Sequence, residues 1–230
     1  LLPQDDVFLI ESSYKDNPFL AKDYIKTLEA MKDVNPQIYK TLVLGQWGVS
    51  EGLVFDRWEL YDDSTAPKSF DQVIYGLDFG YNHPTALIEC SYKDNAVYLK
   101  EIIYKQHLNN GELIKLMDEL GVNKDLAMIA DSAEPDRIDE IFDKGYQRVE
   151  GIKKIEVVQT INILKNYKIY IHKDSKNIQD EFNTYEWKKN LAGDYLDKLE
   201  PDKQHDDAIA AIRYATLYFD RNAGVKAFYA

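Results

Sequence analysis

The sequence predicts an α/β protein built on a central mixed sheet, three antiparallel strands and then parallel ones, with helices on its faces. From Gln72 to Tyr104 three apolar runs follow one another across short turns, and beyond Asn110 helical and strand-like periods alternate. A third observation marks where such a sheet would work. The apolar runs ending at Leu77 and Ala130 are each followed by an aspartate, Asp78 and Asp131.

Each element has its own justification. Val7–Ile10 reads as a short strand, followed by a turn-rich link from Ser12 to Pro18. Ala21 to Lys32 carries Tyr24, Ile25, Leu28 and Met31 at helical spacing. A second short helix is expected from Pro36, favourable in a first turn, to Leu44, with Gly45 as its stop. Residues 59–69 are polar, contain Pro67 and read as a linker, so the main domain boundary is expected there, between residues 1–58 and 70–230. Strands are then expected at Gln72–Leu77, Thr85–Tyr92 and Ala96–Tyr104, their short connections making them antiparallel neighbours. A helix from Asn110 to Leu120 leads to the strand ending at Asp131 and a helix from about Glu134 to Lys144. Val149–Gly151 reads as a brief strand or loop. A helix from Lys153 to Asn166 precedes a strand at Lys168–Ile171. A polar helix from Ser175 to Trp187, an irregular stretch around Gly193 and a last helix from Asp206 to about Phe219 complete the chain. This is the element order of ribonuclease H, and the fold is expected to be ribonuclease H-like.

Composition narrows the classes. The 230 residues are 45% hydrophobic, enough for a sizeable core, and 17 tyrosines with three tryptophans argue against disorder. The single cysteine, Cys90, lies in an apolar run. It excludes an internal disulfide or a cysteine-rich zinc site and fits a reducing cytoplasm. No apolar stretch is long enough to span a bilayer, so no membrane partner is expected. The first residues lack both an initiator Met and the basic region of a signal peptide, and read as a cut inside a longer protein. A net charge of −12 is unusual for a protein that binds nucleic acid unaided. If this one acts on DNA, the attraction must come from metal ions, a local basic strip or a partner.

The acids carry the chemistry. A carboxylate at the end of an apolar strand is costly to bury unless something compensates it, and a metal ion is a common partner. Asp206 and Asp207, opening the apolar helix of Ala208–Ile212, supply a third acidic site. Oxygen-only ligands favour magnesium or manganese over zinc. Two such ions about 3.5–4 Å apart can activate a water and stabilise a leaving phosphodiester oxygen. Each acid also has a plainer reading. Asp78 before Phe79-Gly80 could begin a turn, Asp131 could cap the following helix, and one of Asp206 and Asp207 is expected to be a cap. The one basic stretch contains Lys144, Arg148, Lys153, Lys154, Lys165, Lys168 and Lys173. It is either a solvated face or a phosphate-tracking strip, with Lys153 and Lys154 as the candidate DNA contacts. A P-loop is absent, which excludes ATP hydrolysis by that mechanism.

Five segments together resemble the C-terminal nuclease region of tailed-bacteriophage terminase large subunits. They are Ser13–Leu20, Val43–Gly48, Tyr75–Gly80, Ala130–Pro135 and His205–Tyr214, in family order over nearly the whole chain. The resemblance implies a metal-dependent endonuclease cutting concatemeric double-stranded DNA, with two Mg2+ or Mn2+ ions. It implies that residues 1–58 are the tail of the ATPase domain and its helical connection. The small terminase subunit and the portal become expected partners, and the host cytoplasm the expected location. Asp78 and Asp131 would be the first two metal ligands. Relatives carry a carboxylate or histidine at the position of Asp207 and an Asp three residues later, where this chain has Ala210. The third ligand therefore stays open between Asp206 and Asp207, with Asp207 preferred. Two other readings stay open. A Holliday-junction-resolvase-like nuclease would share the acids but leave Ser13–Gly48 without a role. A non-catalytic module docking the motor on the portal would cut nothing.

Overall fold

A computed structural model describes residues 13–34, 52–153, 155–190, 195–196, 200–202 and 205–226. The expected strand at Val7–Ile10, the helix at Pro36–Leu44, Lys154 and Gly193 lie outside them. The chain forms two compact units, Leu1–Glu51 and Gly52–Ala230. In the first, Ser13 and Asp16 cap a single 3-10 turn, Tyr14–Asp16, and helix α1 runs over Lys22–Val34, close to its expected place.

The second unit is a seven-stranded mixed sheet. Its strands are β1 (Glu59–Tyr61), β2 (Gln72–Asp78), β3 (Thr85–Lys93), β4 (Ala96–Lys105), β5 (Ala127–Asp131), β6 (Val149–Ile152) and β7 (Lys168–His172). Their order is β1-β7-β4-β3-β2-β5-β6. Strands β2, β3 and β4 are antiparallel neighbours. β5 adds parallel to β2, β6 to β5, β7 to β4 and β1 to β7. This is the expected ribonuclease H-like arrangement. Within the stretch read as a linker, Glu59–Tyr61 is an edge strand. Only Tyr61 of the three is buried, against Tyr98 and His172, so three residues give no alternation to read.

Helices cover both faces. Strand residues alternate between them, as a two-residue period requires. Ile74 and Ile129 join the core under α4 (Val157–Lys165), α5 (Lys176–Thr184) and α6 (Asp207–Lys226). Tyr75, Leu77, Met128 and Ala130 join the core under α2 (Asn110–Glu119) and α3 (Pro135–Asp143). Cys90 is buried in the first core. The tightest approach is α6 on β2. A Cβ at Gly76 would collide with the carbonyl oxygen of Ala211, so only glycine lets the helix lie directly on the strand. Three helices differ from expectation, α5 among them, which ends at Thr184 rather than Trp187. α4 starts at Val157 rather than Lys153, and α6 continues to Lys226 rather than stopping near Phe219.

Candidate active site

Strand register brings the first two acids together. Leu77 and Ala130 are paired across the parallel β2–β5 ladder, and both turn toward α2 and α3. The next residues, Asp78 and Asp131, therefore stand side by side on the α6 face. There Tyr214, one helical turn beyond Ala211, donates its hydroxyl to the Asp78 carboxylate. Burial, then the charges of Asp78 and Asp131, raise its pKa well above the ordinary tyrosine range. Below Asp78 the chain turns sharply. Thr85 holds this turn through both backbone groups of Gly80, accepting from its N–H at 3.1 Å and donating to its carbonyl at 2.8 Å. The Arg137 guanidinium covers the Phe79 ring at 4.2 Å. Asp131 does not cap α3, whose N-cap is Glu134; its Oδ1 accepts the N–H of Ala133 at 3.1 Å, in the turn before that helix.

The same row continues across the sheet. Asp78 pairs with Ala86, and Ala86 with Tyr104. The two outer residues of this run are about 10 Å apart, two strand spacings, with a small side chain between them. Over the Tyr104 end lies the start of α6. Asp207, its first residue, is half-buried with Oδ2 3.5 Å from the Tyr104 hydroxyl. Its pKa is raised, by burial first and by Asp206, against the opposing pull of His83, His205 and the hydroxyl. Asp206 begins the helix through its carbonyl, which accepts from Ala210 at 2.7 Å. Its carboxylate accepts from the Tyr185 hydroxyl at 3.3 Å.

Glu181 on α5, which sequence reasoning missed, supplies the cap expected of Asp206. It is 3% exposed, and its carboxylate accepts the N–H groups of Ala208 at 3.0 Å and Ile209 at 2.9 Å. The Tyr104 hydroxyl donates to it at 2.9 Å. Burial pushes its pKa up to about 7. The three donors oppose this, and Asp207 reinforces it. A signal was present. Glu181 falls three residues after Ile178 and one before Phe182, on the stripe that α5 buries, where an unpaired acid would not be tolerated.

The acids thus form two groups along one row: Asp78 and Asp131 at Tyr214, and Asp207 with Glu181 at Tyr104. Among the described residues no three His, Cys, Asp or Glu side chains are close enough together to hold a metal ion. The basic stretch is divided as well. β6 and β7 run parallel to β2. Lys153 and Lys173, which follow β6 and β7, therefore share the edge of the sheet with Asp78, while Lys144, Arg148, Lys165 and Lys168 lie at the opposite edge. Lys173 is engaged with Asp62 at 3.4 Å. Lys165 and Lys168 line a cavity of about 730 Å³ with Trp58 and Tyr170, away from the acids.

Known proteins resemble this chain throughout. A profile of the phage terminase large subunit matches residues 2–46. The large terminase subunit of Bacillus phage SPP1 is 29% identical over 225 residues, 91% of this chain and 52% of that protein. The PBSX phage terminase large subunit of Bacillus subtilis is 25% identical over 226 residues, 91% of this chain and 50% of that one. The chain spans about half the length of these two relatives. Among solved structures, the nuclease domain of the SPP1 large terminase with bound Mn superposes with a TM-score of 0.61 at 25% identity. The match covers 74% of this chain and 99% of that one.

Proposed function

We propose that this chain, a homologue of terminase large subunits over their nuclease region, is a metal-dependent endonuclease that cuts concatemeric double-stranded viral DNA. The observation that carries the reading is the pair Asp78 and Asp131, set side by side on neighbouring strand ends and facing α6. The donor set fits a hard divalent cation. Its groups are all carboxylates, and burial followed by the charges of Asp78 and Asp131 raises the pKa of Tyr214 beside them. Asp78, Asp131 and Asp207 would hold Mg2+ or Mn2+, with Asp206 the alternative third ligand. The bound Mn of the SPP1 nuclease domain supports this choice. When bound, two such ions supply an activated water and stabilise the leaving oxygen of the phosphodiester. The chain's own residues do the positioning. Strand register fixes Asp78 beside Asp131, the Thr85 clamp on Gly80 fixes the turn that follows, and Tyr214 orients Asp78.

The wider reading follows from the relatives, each about twice as long as this chain. Residues 1–51, the first compact unit, would be the tail of the ATPase domain, and the second unit, whose sheet takes Glu59–Tyr61 as its edge strand, would be the nuclease. The small terminase subunit and the portal are the proposed partners, in the host cytoplasm. No helix among the described residues is long and apolar enough to cross a membrane. With a net charge of −12 the chain should hold DNA weakly, through phosphate contacts at Lys153 and Lys154 and through the metal. One observation favours the non-catalytic docking alternative, namely that among the described residues no three such side chains lie close enough together to hold a metal ion. A plasmid-nicking assay separates the two. Nicking with Mg2+ or Mn2+ that EDTA abolishes is expected, and an intact plasmid under every metal condition would favour docking.

A further inference from the structure

The residue that the proposed chemistry leaves unused is also the most deeply buried acid near it. Glu181 belongs to α5, yet its carboxylate is committed to the first turn of α6 through the N–H groups of Ala208 and Ile209. These are the second and third residues of the helix that Asp207 opens. A helix start held this way cannot slide or rotate without breaking two hydrogen bonds in a buried setting. The anchor has a second arm. Tyr104, at the end of the row shared with Asp78, donates to Glu181 at 2.9 Å and lies 3.5 Å from Asp207 Oδ2. The backbone carrying Asp207 and the carboxylate of Asp207 are thus both referred to one point, and that point is tied to the sheet through β4.

We propose that Glu181 and Tyr104 are positioning residues for Asp207. Glu181 fixes the helix turn that carries it, and Tyr104, whose single hydroxyl proton goes to Glu181, ties that anchor to β4 beside the Asp207 carboxylate. This rests on the nuclease reading, in which Asp207 is the third ligand. The logic is that of outer groups orienting a metal-binding carboxylate, where loss of the partner weakens metal binding while the ligands remain.

The test uses the full chain with Tyr104→Phe and Glu181→Gln, each assayed three ways. These are melting temperature in EDTA, Mn2+ binding by electron paramagnetic resonance, and nicking as a function of Mn2+ concentration. Tyr104→Phe keeps the ring and the Glu181 cap. It should melt close to wild type yet need about tenfold more Mn2+ both to bind and to reach half-maximal nicking. Saturating Mn2+ should restore most of the rate. Glu181→Gln retains one acceptor but sets an amide NH2 against a backbone N–H, so it should lower both melting temperature and Mn2+ affinity. If wild type cuts and Tyr104→Phe binds and uses Mn2+ like wild type, the positioning role is overturned and the pair is structural only. If wild type neither binds Mn2+ nor cuts, the nuclease reading falls and this role falls with it.

Discussion

The two acidic groups of the row are held in different ways. Asp78 and Asp131 are placed side by side by the backbone, with Tyr214 and the Thr85 clamp only trimming the result. Two adjacent parallel strands end in register, and alternation aims both side chains at α6. Asp207 is placed by side chains, through a buried glutamate from another helix and a tyrosine from the far strand. The strand-end pair is as rigid as the sheet. The helix-borne acid is only as well fixed as the network beneath it, and that network can be altered one atom at a time. Geometry written into a ladder resists mutation, whereas geometry written into a hydrogen-bond network is adjustable.

The largest effect that would break this contrast is on cutting. Asp78→Asn and Asp131→Asn should each reduce nicking to background. Their melting temperature in EDTA should be unchanged or higher, because removing one of two neighbouring like charges relieves repulsion. Wild-type nicking by both variants would remove the strand-end pair from the site. Asp207→Asn should come next, with a loss of about tenfold or more that extra Mn2+ partly recovers. Asp206→Asn should cost only a few-fold, since its carboxylate is turned to Tyr185. The opposite ranking in the same assay would make Asp206 the third ligand.

A smaller effect is a pH dependence that belongs to the helix-borne group alone. Glu181 titrates at about 7 in the folded chain, raised from 4.5, and Asp207 is raised too. The folded state therefore binds these protons more tightly than the unfolded state. Their contribution is complete below about pH 4.5 and is lost as pH rises through 7. The depressed carboxyls Asp62, Asp71 and Asp118 act in the opposite sense, below the ordinary Asp range, and so stay outside this window. Thermal unfolding in EDTA should show stability falling by roughly 1–3 kcal/mol between pH 4.5 and 7.5. Glu181→Gln should flatten that fall, and a variant with the wild-type slope would mean that Glu181 is ionised throughout. The smallest effect is Lys153→Ala, which should lower the slope of log affinity against log salt by about one in a DNA-binding titration. An unchanged slope would take Lys153 out of the interface.

How far the sequence reached follows the same division. Asp78 and Asp131 were legible because an acid ending an apolar run is visible in one dimension, and so was the antiparallel-then-parallel order. Glu181 and Tyr104 were not, because they meet each other and α6 only in the fold, and burial of an acid is decided by what packs over it. Asp206 looked like a cap because a helix start needs one. A carboxylate from elsewhere in the fold filled that need, which no local pattern records. The basic stretch looked continuous because its residues are near one another in sequence. Strand-helix-strand connections return the chain to alternate edges of the sheet, and so they divide it.

The close seat of α6 on β2 at Gly76 has a consequence for the order in which the protein is made. The helix that brings Asp207 and Tyr214 to the site follows every strand of the sheet in sequence, and its contacts reach far back. The Tyr92 hydroxyl meets Thr216 across 124 residues. A ribosome needs on the order of ten seconds to travel from β2 to that helix. From Asp131 onward the nascent chain carries both strand-end acids without Asp207, and Glu181, which anchors Asp207, is added only shortly before α6. Under the proposed nuclease reading, cutting competence would then arrive late in synthesis, so a chain truncated before α6 would carry the strand-end acids without the site.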